Sequence, residues 1–174
     1  MKKILLLTTL SIACAVSSVP VFANDGTVKF TGEIIDSACT IDIGASNTMT
    51  VDLGKVAKTA FTGKDSVASA TKFILKMKDC PSTVTSASVK FDGTGYKGDD
   101  SVLALTDETG VATGVAIELS DSTQTVVPLF TPSTSVTLVE GANEMPFYAR
   151  YKQMETAVTA GPANSTAQFT VNYN

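Results

Sequence analysis

Short runs in which apolar and polar residues alternate recur along this chain, and the sharpest of them covers residues 167–173. Ala167, Phe169, Val171 and Tyr173 share one face, while Gln168, Thr170 and Asn172 share the other, which is the period of a strand with one side in a core. Comparable β-type runs occupy 28–35, 40–43, 48–56, 72–77, 87–91, 102–105, 115–119, 125–129, 135–139 and 145–152, and only 66–72 suggests a helical turn. Turn-forming clusters stand between them: DGTG (92–95), KGDD (97–100) and EGAN (140–143). This spacing predicts an all-β sandwich with no linker or repeat dividing it. A core-forming strand as the last element leaves an edge, and with it a groove, for another segment to fill.

The opening MKKILLLTTLSIACAVSSVPVFA reads as a secretory signal peptide over residues 1–23: Lys2 and Lys3, an apolar stretch from Ile4, then Pro20 and Ala23. That stretch is too short to span a bilayer. Cleavage is expected after Ala23, with a second small-x-small site ending at Ala15. Loss of the leader removes Cys14 and both lysines, leaving Cys39 and Cys80 and taking the formal charge from −4 to −6. An even pair in an exported protein reads as a disulfide. Closing a loop of about forty residues contributes roughly 4 kcal/mol in the chain-entropy account.

Several function classes fall away on composition. An acidic chain is a poor partner for nucleic acid. Histidine is absent throughout, which rules out Ser-His-Asp and Cys-His catalysis and removes the commonest zinc or copper ligand. The acidic stretch at 92–100 lacks the EF-hand order and closing glutamate, and so reads as a solvated turn rather than a calcium site. Asn164-Ser165-Thr166 matches a glycosylation sequon too short to carry weight in a bacterial-looking chain. Lys55 with Lys58, and Lys76 with Lys78, read as exposed strand faces. Phe147, Ala149 and Tyr151 alternate with Tyr148, Arg150 and Lys152, so one set points inward and the other is wet or paired. No enzyme, metal site or cofactor is expected.

Taken in order, GTVKFTGEIIDSACTI (26–41), VDLGKV (51–56), FILKMKDC (73–80), MPFYARY (145–151) and GPANSTAQFTVNYN (161–174) resemble a major pilin of chaperone-usher, type 1-like fimbriae of Gram-negative bacteria. The resemblance covers essentially the whole chain after the leader. It implies an incomplete immunoglobulin-like sandwich lacking its seventh strand, with residues 24–34 as an N-terminal donor extension and 35–174 as the pilin domain. Val28, Phe30, Gly32 and Ile34 would face the groove of a neighbouring subunit. Gly161, Ala167, Phe169, Val171 and Tyr173 would form the groove edge and the contact with a periplasmic chaperone.

The implied function is that of a structural subunit of a surface fimbrium, polymerising by donor-strand exchange at an outer-membrane usher after export through the periplasm. Its partners would be identical or related subunits, the chaperone and the usher. The alternative is a minor or adhesive subunit that itself binds a host receptor. The residues support strand exchange in their own right. Burying Val28, Phe30 and Ile34 at about 1.5–3 kcal/mol each supplies roughly 5–9 kcal/mol before entropy, and backbone pairing along an open edge adds hydrogen bonds.

Overall fold

The alternating runs become strands only where they find antiparallel partners, and two sheets supply these. The computed structural model describes residues 26–32, 34, 38–44 and 46–174. The leader at 1–23, with Asn24, Asp25 and Glu33 of the expected donor, lies outside them. Two units divide the chain, Met1–Ile34 and Ile35–Asn174. Nine strands lie in the second among the described residues: β1 (Thr40–Ile41), β2 (Thr71–Cys80), β3 (Ser86–Asp92), β4 (Gly95–Tyr96), β5 (Asp99–Leu103), β6 (Val115–Ser120), β7 (Val136–Thr137), β8 (Gly141–Gln153) and β9 (Gln168–Tyr173).

One sheet runs β1-β2-β8-β6-β5-β4 and the other β7-β3-β9. All pairings are antiparallel. The sheets share a core of Leu75, Met77, Val89, Phe91, Ile117, Leu119, Met145 and Phe147. Phe91 of β3 stands edge-on to Phe147 of β8 with centroids 5.2 Å apart, and Phe73 of β2 stacks on Phe147 at 5.8 Å. The Phe91–Phe147 pair joins the two layers, while Phe73–Phe147 braces neighbouring strands of one sheet, and aromatics favour edge and offset contacts over this range.

On β8 the two sets of alternating residues separate as the period requires. Phe147 and Ala149 enter the core, while Arg150 and Lys152 meet the buried Glu118 of β6. Arg150 donates to Glu118 Oε1 from Nε at 2.8 Å and from Nη2 at 2.6 Å, and Lys152 Nζ lies 3.1 Å from Oε2. Burial pulls the Lys152 ammonium down, but Glu118 and, at 3.6 Å, Asp65 outweigh it and hold its pKa above the ordinary lysine range.

Several expected elements take another form, among them 48–56, which joins no sheet. Residues 66–72 form no helical turn. Asp65 N–H donates to Gln153 O at 2.8 Å, Gln153 N–H to Ser66 O at 2.8 Å and Ala68 N–H to Tyr151 O at 2.9 Å. The segment thus extends along the β8 ladder, and tertiary pairing overrides a weak local preference. Residues 125–129 make only a bridge, Val126 to Ser120, with Val127 N–H donating to Leu119 O at 2.9 Å. Pro128 has no N–H with which to continue it. The described residues of 28–34 form no strand, and Val28, Phe30 and Ile34 are 76%, 90% and 99% exposed.

Candidate strand-acceptor groove

Tyr173 sits on β9, and this strand positions most of the residues expected at the groove edge. Among the described residues β9 pairs with β3 alone, in a register running from Ala87–Tyr173 to Asp92–Gln168. Ser86 and Asn174 exchange both backbone bonds, at 3.1 and 2.9 Å. In an antiparallel ladder such pairs alternate with pairs whose N–H and C=O point away. Asn172, Thr170 and Gln168 therefore bond β3, while the backbone groups of Tyr173, Val171 and Phe169 face the open edge. Phe91 and Val89 obey the same alternation from the other side: their carbonyls accept from Phe130 and Ser133, each at 2.8 Å, on the side of β3 away from β9.

The residues with open backbone groups are also the apolar ones. Ala167, Phe169, Val171 and Tyr173 are half-buried and pack on the core, as do Ile41, Ile43, Met49 and Leu53. Met49, Val51 and Leu53 are half-buried between exposed Thr50 and Asp52, the pattern of a strand, yet 48–53 belongs to no sheet. Its alternation is plain in the sequence. It is the candidate second bank, since Met49 and Leu53 pack on the same core as β9, a placement that reasoning along the chain missed.

Contacts at both ends place 39–56 and 161–173 alongside each other. At one end Tyr173 Oη donates to Cys39 O at 3.3 Å. Cys39 is bonded to Cys80, with Cα atoms 4.1 Å apart and both residues buried. At the other end a cavity of about 360 Å³ lies between Gly54, Lys55, Val56, Lys58 and Phe61 on one side and 158–164 on the other, with Tyr151 in its wall. Burial, and then the charge of Asp52, push the Tyr151 hydroxyl pKa up; burial alone does the same for Tyr173.

The approach to β9 is tightly held. Ala112 N–H donates to Pro162 O and Thr106 N–H to Asn164 O, both at 2.8 Å, and Tyr151 Oη donates to Ala163 O at 2.9 Å. Gly161 lines the cavity and lies against Gly110–Ala112, where a Cβ would stand 2.1 Å from Gly110 O and 2.7 Å from Ala112 N. Backbone must move to admit it, at a cost of about 1–3 kcal/mol. Gly161→Ala is therefore expected to lower the thermal unfolding midpoint measured by circular dichroism. An unchanged midpoint would show that this contact yields freely.

Among the described residues the arrangement offers unpaired backbone groups above an apolar floor, which suits an extended segment rather than a small molecule. A family model described as "Fimbrial protein" matches residues 28–174. The chain belongs to the fimbrial protein family. Relatives with whole-length similarity bear this out. This fimbrial protein is 36% identical to the probable major fimbrial subunit LpfA of Escherichia coli O157:H7, over 99% of this chain and 97% of the relative. It is 39% identical to the type-1 fimbrial protein, A chain, of Escherichia coli (strain K12), over 86% and 84%. The crystal structure of the P pilus rod subunit PapA shares the fold at a TM-score of 0.66 and 22% identity, covering 79% of this chain and all of that one. The fold is the immunoglobulin-like sandwich that lacks a strand.

Proposed function

We propose that the protein is a structural subunit of a surface fimbrium that polymerises by lending residues 24–34 to the groove of the next copy. One observation carries the reading: among the described residues the outer edge of β9 presents unpaired backbone and apolar side chains together, and the same chain carries an exposed segment with matching alternation. Val28, Phe30 and Ile34 would enter between the banks, with Gly32 at the inward position where no side chain is required. Because the segment leaves one molecule and enters another, the contact is heterologous and does not close, so it propagates a fibre. Before assembly a periplasmic chaperone would lend a strand to the same edge, and the outer-membrane usher would host the exchange. Relatives named as major subunits favour this role over that of an adhesive subunit binding a host receptor. As part of the same reading, the chain carries no catalytic activity and is exported behind the leader at 1–23.

A peptide of residues 25–36 added to the purified protein tests the reading. Binding the folded state raises stability by mass action, so the unfolding midpoint should climb with peptide concentration. A peptide carrying Gly32→Leu should have little effect. Indifference to the unmodified peptide would overturn the proposal.

A further inference from the structure

The hydroxyl of Tyr173 spans the two banks. Its strand belongs to the three-stranded sheet, whereas Cys39, whose carbonyl it reaches at 3.3 Å, immediately precedes β1 at the edge of the six-stranded one. The acceptor is anchored, because Cys39 is buried and covalently tied to Cys80 at the end of β2. The donor is anchored as well: the following residue, Asn174, exchanges two backbone bonds with Ser86 and accepts another from Thr85 N–H at 3.2 Å. A bond between two fixed banks resists their separation. A strand seated along β9 must reach the backbone N–H and C=O of Tyr173, which face that open edge, and must place its own side chains between the sheets.

We infer that Tyr173 is a clasp: its bond to the Cys39 carbonyl holds the unfilled groove shut at this end and opens when a strand enters. The inference rests on the proposed strand exchange and adds a gate to it. Opening forfeits one hydrogen bond between neutral groups while the ring stays available to pack on the incoming strand. The clasp therefore governs how fast a strand is captured more than how firmly it is held. A net hydrogen-bond contribution of ordinary size corresponds to about two- to tenfold in rate.

The test is uptake of a fluorescent peptide of residues 25–36 by the purified full chain, followed by stopped flow, with dissociation measured separately. Tyr173→Phe keeps the ring and removes the bond, and should raise the association rate about two- to tenfold with little change in dissociation. Thr85→Val serves as the comparison. It removes a side-chain bond at the same end, from Thr85 Oγ1 to Asn174 O at 3.3 Å, between the residues that flank the paired strands β3 and β9, and it should leave association unchanged. An unaltered rate in Tyr173→Phe, or equal acceleration in both variants, would overturn the clasp while leaving strand exchange intact. Failure of the peptide to bind any of the three proteins would instead sink the exchange itself.

Discussion

Bacteria producing this chain with Phe30→Asp should bear no fibres made of it, although the subunit itself should fold. Phe30 is 90% exposed in the chain alone, so the substitution disturbs no core packing. Its effect is expected at the proposed joint between subunits. There the change removes about 1.5–3 kcal/mol of apolar burial and forces a carboxylate into the space between two sheets, where burying an unpaired charge costs several kcal/mol more. The sum approaches the whole 5–9 kcal/mol available from Val28, Phe30 and Ile34 by the same area accounting. Loss of assembly is therefore expected to be complete rather than partial. Electron microscopy of the cell surface, with denaturation-resistant oligomers read on gels, decides it. Fibres of normal length would show that Phe30 does not sit in a neighbour's groove.

The second large effect belongs to the crosslink. Cys39 and Cys80 are buried and 41 residues apart, and opening that loop is expected to lower stability by about 4 kcal/mol. Whole domains are stable by only about 5–15 kcal/mol, so this is about a quarter of the margin or more. Cys39→Ser should sharply reduce the amount of folded subunit and move the denaturant midpoint far downward. The double variant with Cys80→Ser should resemble the single one, since the loss comes from the link and not from either thiol. Single and double losses below about 1 kcal/mol would show that the unfolded chain gains little freedom when the link is cut. The same bond also fixes the carbonyl that Tyr173 grips, so cutting it should speed strand uptake as Tyr173→Phe does.

Much of the architecture was legible from alternation alone. The faces of 167–173, the inward set on β8 and the turn at 97–98 depend only on the period of two and on residues suited to tight turns. Lys97 and Gly98 both have positive φ, 50° and 86°, as a type I′ hairpin demands. What failed were judgements on pairing. Residues 28–35 and 48–56 carry strand alternation as clear as that of β3, yet neither 48–56 nor the described residues of 28–34 join a sheet. Residues 66–72 gave a helical hint and became an extension of the β8 ladder. Local sequence sets which way side chains point, whereas hydrogen-bond partners are settled by what lies alongside.

For this protein the order of residues by itself determined an all-β chain, the pair Cys39 and Cys80, and apolar stripes of period two. It also determined the absence of histidine chemistry. Only the tertiary structure decided that β9 is bonded on one side among the described residues, that Met49 and Leu53 pack on the core that β9 also covers, and that Tyr173 reaches across to Cys39. The reason is physical. An apolar stripe records that a face must be covered, but the partner covering it is chosen by long-range packing, and here the described residues leave one such face for another strand.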